Sequence, residues 1–356
     1  MSITNNPELL ERRRLLKAAA GLALVSGMAV IGGWVVVNRD RNLIEVRRER
    51  SMMATSVSVT CLAADVEGAG QAIEAAMARM AATAAVLTRF EPESPLARLN
   101  HAGWLADPPA ELHTVLGRAL EIARYSDGDF DVSVLPVLDY FFGLRQPVTL
   151  SEADRRAIAS RERLVGFRHI RLGTSEIRLA LPGMAITLDG IAKGYVVDQG
   201  IAALREAGIE YGLIDAGGEV RAMAGVDPKR FWNVGIVDPQ RTDRVAAVVR
   251  LRNAALSTSG NYEVFFSADR RLFHIINPHT GYSPDRYSSV TVMAEESMDA
   301  DAMSVAAFSM ELPRLREIMA ARGHQWLVFS WDGAQRWRSA ELPLVSGQAS
   351  VDRIAT

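Results

Sequence analysis

A single cysteine, Cys61, in 356 residues leaves no partner for an internal disulfide and no thiolate cluster for a metal. Lysine is nearly as scarce. Of 40 basic residues only Lys17, Lys193 and Lys229 are lysine, so a mid-chain lysine departs from this chain's own habit. Positive charge is not in excess either. The net charge is −2, and with the nine basic and five acidic residues of the first fifty set aside, residues 51–356 carry −6. A mildly acidic body lacks the basic face that phosphate tracking requires, which argues against a nucleic-acid partner. There is no Walker A motif, no G-x-G-x-x-G after a strand and no H-E-x-x-H, so the ordinary ATP, NAD and zinc-protease readings lose support. Repeats and low-complexity segments are also missing. What remains is a globular composition, 49% hydrophobic and 23% charged, with ample core.

The amino end reads as an address. Arg12-Arg13-Arg14-Leu15-Leu16-Lys17 is followed by an apolar run from Ala18 to Val37. This matches a twin-arginine export signal. A plain signal-anchor helix is the alternative, since about twenty residues at ~1.5 Å each can span a ~30 Å hydrocarbon core. Gly27-Met28-Ala29 is a small-x-small site inside the run, but no Ala-x-Ala closes it. Residues 1–38 therefore read as a signal or a retained membrane anchor, and the protein as periplasmic. A lone cysteine suits an exported protein that does not rely on disulfides. Residues 39–50 read as a charged linker, 51–342 as the folded body and 343–356 as a tail.

Within the body, Val57, Val59 and Cys61 alternate along a strand over Thr55–Leu62. Ile73, Met77, Met80, Ala84 and Leu87 fall on one helix stripe, where the methionines fill core. Further helices are expected at Ala110–Tyr125, around Val197–Leu204 with Gly208 ending it, and at Pro313–Arg322. Strands are expected at Ile170–Leu179, Met184–Leu188, Tyr211–Ile214, Trp232–Val237, Ala246–Leu251, Leu272–Ile276, Ser289–Ala294 and Gln325–Ser330. The elements mix without a regular βαβ period, so the fold class is α+β.

Four segments carry residues suited to chemistry. Leu188-Asp189-Gly190-Ile191-Ala192-Lys193-Gly194-Tyr195 enters a helix, where free N–H groups make an anion cradle and Lys193 could meet a phosphate. The plain alternative is a tight turn with a solvent lysine. Asp215-Ala216-Gly217-Gly218-Glu219 permits close backbone approach, or is simply a hairpin turn. His274-Ile275-Ile276-Asn277-Pro278-His279 places a histidine at a strand end, suited to general-base work near neutrality or to a structural role. Asp299-Ala300-Asp301-Ala302-Met303-Ser304 offers oxygen ligands for a hard cation, with helix capping by Asp299 as the competitor. Together these suggest Mg²⁺-assisted phosphoryl chemistry on a nucleotide-like ligand.

At these residues the chain resembles the ApbE family of FAD:protein FMN transferases, from about Ser51 to Leu342. Met53-Ala54-Thr55 is similar to the family's Met-Gly-Thr opening. Phe90-Glu91-Pro92-Glu93-Ser94-Pro95-Leu96-Ala97-Arg98-Leu99-Asn100 resembles its Tyr-Arg-Pro-Asp-Ser stretch, and Gly128-Asp129-Phe130-Asp131-Val132 its Gly-x-Phe-Asp-Pro. Gly190 to Tyr195 matches the Gly-Ile-Ala-Lys-Gly-Tyr segment directly. Gly217-Gly218-Glu219, Thr258-Ser259-Gly260-Asn261-Tyr262 and His274-Ile275-Ile276-Asn277-Pro278 follow in family order.

The resemblance implies an α+β domain of two packed subdomains. The implied activity transfers FMN from FAD to a Ser or Thr hydroxyl of an acceptor protein with an FMN-binding domain, forming a phosphodiester and releasing AMP. Met53, Phe90, Asp129, Phe130, Asp131, Thr187, Lys193 and Ile275 would line FAD, and His274 would activate the hydroxyl. The backbone oxygen of Gly190, with Asp301, would hold Mg²⁺. The exported form is similar to accessory proteins of membrane-bound electron transfer, including nitrous oxide respiration, and a homodimer is compatible with it. The sequence departs from the family pattern where Phe90 replaces Tyr, Thr187 replaces Asp, Asn277 replaces Asp, His279 replaces Arg, and Val305 replaces a metal-ligating Thr. Ser304, Asp299 or a water is then left to fill the last position. Two other readings use the same site: an FAD-holding accessory or electron-transfer protein without transferase activity, and an FAD pyrophosphatase.

Overall fold

The charged segment ahead of the first apolar strand is itself a strand. In the computed structural model, which describes residues 43–345 and the short strand Arg353–Ile354, β1 (Ile44–Met52) pairs antiparallel with β2 (Thr55–Ala63) along its whole length. The linker expected over residues 39–50 is thus mostly sheet edge. Only Val46 of β1 is buried, so no apolar alternation marked it; backbone pairing holds it while its arginines and glutamates face water. The export signal expected over residues 1–38 lies outside the described residues. None of the described helices is long and apolar enough to cross a membrane.

β1 and β2 open a nine-stranded sheet that continues through β6 (Tyr211–Ala216), β7 (Glu219–Ala224), β10 (Ala255–Gly260), β11 (Tyr287–Ala294), β12 (Gln325–Ser330), β13 (Arg336–Arg338) and β14 (Arg353–Ile354). All neighbours are antiparallel except β13 and β14. β3 (Trp104–Ala106), β4 (Ile170–Leu172) and β5 (Glu176–Leu179) form a small second sheet. β8 (Trp232–Asp238) and β9 (Arg241–Leu251) form a ribbon.

The period-2 alternation of strand side chains gives the large sheet two apolar faces. Ile214, Met223, Val290, Val292 and Val328 belong to one core, which also holds the helices α1 (Val66–Leu87), α6 (Ala192–Glu206) and α7 (Ser297–Ser309). Leu213, Val220, Ala222, Leu327 and Phe329 belong to another, closed by Trp232, Val234, Ile236, Val249 and Leu251 of the ribbon. Residues past 342 remain attached where described: Val345 N–H donates to Val248 O (2.9 Å) and Leu344 bridges Val249. The remaining helices are α2 (Pro95–Ala102), α3 (Ala110–Tyr125), α4 (Leu135–Gly143), α5 (Glu152–Glu162) and α8 (Leu312–Arg322). The α+β expectation holds.

Two expected strands are absent. Met184–Leu188 and Leu272–Ile276 are mostly apolar and buried, yet side chains take up key backbone groups and no ladder extends beyond the isolated bridge between Phe265 and Phe273. Asn100 Nδ2 donates to Ile186 O and Asn100 Oδ1 accepts from Ile186 N–H, both at 2.8 Å. Ser283 Oγ does the same for both groups of Phe273 at 2.7 Å. Residues expected as one strand over 170–179 fold back as β4 and β5.

The β1–β2 turn is strained. Met53 and Ala54 have φ of 53° and 60°, the left-handed pair that a two-residue hairpin demands. The left-handed conformation costs an L-residue roughly 1–2 kcal/mol, and glycine avoids that cost at some loss of chain entropy. Ala54→Gly is expected to raise stability by about 0.5–1 kcal/mol, seen as a higher urea midpoint with an unchanged slope.

Candidate active site

Two helix N-termini and one hairpin turn converge on Lys193. It stands in the first turn of α6, and its Nζ lies 2.7 Å from Glu219 Oε2 at the start of β7. Asp301 comes from α7 and accepts the Gly194 N–H at Oδ2 (3.0 Å), so one helix's carboxylate caps an orphan donor of the other. The close approach needs glycine: a Cβ on Gly194 would lie 2.3 Å from Ser297 O. Gly217 and Gly218 turn from β6 into β7 with φ of 68° and 108°, and donate N–H groups to Asp215 Oδ1 at 3.1 and 3.3 Å. That segment is the hairpin turn the sequence allowed, and it also delivers Glu219.

The electrostatics follow from this packing. Burial works to lower the Lys193 pKa, but the charges of Glu219, Asp301 and Glu263 overcome it and hold the ammonium protonated. Burial pushes the Glu219 and Asp301 carboxyls up; Glu219 raises Asp301 further, Asp215 and Glu263 raise Glu219, and Lys193 opposes both shifts. Three carboxyls, Glu219, Asp301 and Glu263, thus surround a single ammonium, and burial pushes all three toward the neutral form.

His274 is part-buried, with Nδ1 3.1 Å from Val264 O. A carbonyl only accepts, so Nδ1 carries the proton and Nε2 is left as the acceptor. Loss of water around the ring pushes its pKa down to about 4; Lys193 lowers it further, and the Val264 hydrogen bond and Asp189 oppose the fall. The expectation of titration near neutrality is corrected: this imidazole is neutral throughout the physiological range.

Phe90 is 52% exposed and its ring lies 4.2 Å from the Arg89 guanidinium carbon, so one face is free to stack. Asp129 is held by His279 Nε2 (3.1 Å) and Arg314 Nε (3.2 Å), so Arg314 supplies a fixed cation beside His279. Met53 forms the strained turn at one end of β1. Phe130 and Ile275 are buried core. Asp131 accepts from Ser133 N–H (2.9 Å), Ser133 Oγ (2.6 Å) and Phe167 N–H (2.6 Å), a structural cap that uses both its oxygens. Thr187 Oγ1 accepts the Asp189 N–H (3.1 Å) and shapes the turn before Gly190.

At the expected metal position, Val305 faces Gly190: its Cγ2 would sit 3.1 Å from a Cβ placed there. Ser304 does not substitute, because its Oγ donates to Asp301 O (2.8 Å) and pairs with Ser259 Oγ (2.7 Å). Asp299 does not either, since both its oxygens bind Arg118. It is not the N-cap; Asp198 of α6 accepts the Ser297 and Met298 N–H groups at 2.9 Å. Among the described residues no three His, Cys, Asp or Glu side chains gather as a metal-binding set. Glu219 was visible in the Gly217-Gly218-Glu219 motif without being assigned a role. Asp198, Arg221 and Arg314 gave no local signal, because their partners are distant in sequence.

This fold is shared with solved proteins. The crystal structure of the ApbE protein from Thermotoga maritima superposes with a TM-score of 0.76, at 26% identity, over 83% of this chain and 97% of that one. Among curated relatives, the FAD:protein FMN transferase of Haemophilus influenzae is 29% identical over 245 residues, covering 66% of this chain and 71% of that protein. That of Klebsiella pneumoniae is 26% identical over 303 residues, covering 81% and 86%. Residues 53–328 match the ApbE family as a whole, and the chain belongs to that family.

Proposed function

We propose that the protein transfers FMN from FAD to a hydroxyl of an acceptor flavoprotein. One observation carries the reading: a charged lysine at a helix N-terminus lies in the same electrostatic neighbourhood as a neutral histidine with a free Nε2. Those are the groups that phosphoryl transfer to a hydroxyl requires, one for phosphate and one for a proton. Relatives that bear the name FAD:protein FMN transferase support the choice of flavin.

The acceptor is a Ser or Thr side chain. Its oxygen attacks the phosphorus on the FMN side of the pyrophosphate, and its proton passes to His274 Nε2. The bond from that phosphorus to the bridging oxygen breaks, and AMP leaves with that oxygen and its electron pair. Lys193 holds negative charge as it gathers on the phosphates. Phe90 offers a face for a flat ring, and the Asp129–Arg314 pair a fixed polar wall.

The residues fit a loosely held Mg²⁺. Its donors would be hard oxygens, from the Asp301 carboxylate and the Gly190 carbonyl, and a cation there would favour the ionised form of the buried Asp301. With Val305 in place of a ligand, water and phosphate oxygens would fill the remaining positions, a habit of Mg²⁺. When bound, the ion would neutralise charge on the bridging oxygens. The twin-arginine pattern of residues 12–37 supports export, and hence an acceptor on the periplasmic side.

Mass spectrometry of a co-expressed periplasmic FMN-binding domain tests the reading. A gain of one FMN that depends on this protein is the expected result. No gain, with FAD co-purifying, would favour the flavin-holding role, which Val305 in place of a metal-ligating residue motivates. AMP and free FMN formed without any acceptor would indicate a pyrophosphatase.

A further inference from the structure

Arg89 makes three contacts that no expected site residue makes. Its Nε donates to Asp189 Oδ2 at 2.9 Å, its Nη1 reaches Asp139 Oδ1 at 3.3 Å, and its guanidinium carbon lies 4.2 Å from the centre of the Phe90 ring. The Arg89 side chain is 11% exposed, whereas Asp189 and Asp139 are 48% and 57% exposed. The cation is therefore the fixed centre, and the carboxylates and the ring are arranged around it. Asp189 immediately precedes Gly190, and its own N–H is tied to Thr187 Oγ1. A chain separation of a hundred residues is closed by one planar side chain.

We propose that Arg89 is a positioning residue that locks the Phe90 platform to the Asp189–Gly190 turn, so that the flat ring and the pyrophosphate of a dinucleotide meet prearranged surfaces. The geometry explains why arginine is needed. A planar guanidinium can lie against an aromatic face while its edge N–H groups bond two carboxylates; an ammonium can do only one of these well. The occupied face of Phe90 is the one toward Arg89, which leaves the opposite face for the ligand. Ordering both surfaces before binding removes an entropy loss from the binding step. This assignment rests on the flavin reading for its ligand, but not for the clamp itself.

The test uses the full chain and two independent readouts. The first is hydrogen exchange without ligand. Arg89→Met is expected to speed exchange about tenfold in segments 88–92 and 187–191 together. The second is FAD binding by flavin fluorescence, with steady-state transfer alongside. Arg89→Met is expected to weaken FAD binding about tenfold, with the loss in kcat/KM lying mainly in KM. Arg89→Lys, which keeps the charge, is expected to restore the thermal midpoint but not the FAD affinity. Asp189→Asn added to Arg89→Met is expected to cause little further loss, because both changes break one contact. Unchanged exchange in either segment, full recovery of affinity by Arg89→Lys, or simple additivity of the two substitutions would overturn the clamp. Failure of the unmutated protein to bind FAD would overturn the flavin reading, while the exchange result still judges the clamp.

Discussion

Transfer by a His274→Ala protein is expected to be slower by ~10²–10⁴-fold at saturating FAD, the range for loss of a positioned general base. FAD affinity should change by no more than about threefold, since in the proposed role the lost group acts on the acceptor hydroxyl and not on the dinucleotide. The pH dependence separates this role from a structural one. In the free protein the ring is pushed down to about 4, chiefly by loss of water. The neutral, proton-accepting form therefore dominates above about 4 and is lost only as the pH falls through that value. On this account kcat/KM shows no inflection from His274 between pH 6 and 8. A pyrophosphate in the site adds negative charge near the ring and favours the imidazolium, so kcat, which reports the bound complex, should inflect at higher pH than kcat/KM. Profiles of both parameters over pH 4–8 check this. A kcat/KM inflection near the ordinary histidine value, lost with His274→Ala, would contradict the assigned environment.

The value of about 4 also shows where reading the sequence stops. The His274-Ile275-Ile276-Asn277-Pro278 motif named the residue, but its titration depends on the elements folded around it. The same holds at Asp131. Its motif suggested a flavin contact, yet both oxygens cap a short helix and the Phe167 backbone, donors that no local pattern reveals. Local signals served well where the physics was local. The helix Ala110–Tyr125 and the strand Gln325–Ser330 lie where periodicity put them. They failed where a side chain replaced the ladder, as Asn100 does for Ile186, and where a strand had only Val46 to bury. The scarcity of lysine was a better guide: Lys193 lies within the charged cluster, paired to Glu219.

The largest stability effect is expected at a pair the sequence did not mark. Asp198 and Arg221 form a buried ion pair, and Asp198 also accepts the first N–H groups of α7 at 2.9 Å. Burial raises the Asp198 carboxyl to about 6, against the opposing pull of Arg221 and the two N–H donors. The folded value therefore exceeds the ordinary carboxylate value, so ionising Asp198 works against folding, and that penalty grows as the pH rises from about 4 to about 6. Arg221→Met removes the counter-charge and strands the carboxylate. It is expected to destabilise the protein by about 3–5 kcal/mol at neutral pH. The loss should shrink as the pH falls toward 4, because the carboxyl then protonates and no unpaired charge stays buried. Adding Asp198→Asn to Arg221→Met should recover part of the loss at pH 7 and little at pH 4. Urea unfolding at both pH values measures all of these. The consequence reaches the chemistry through α7: Asp198 holds the end of the helix from which Asp301 reaches Gly194. Arg221→Met should therefore slow transfer at temperatures where the protein is still folded. If it instead lowers stability equally at both pH values, its role is packing and not charge compensation.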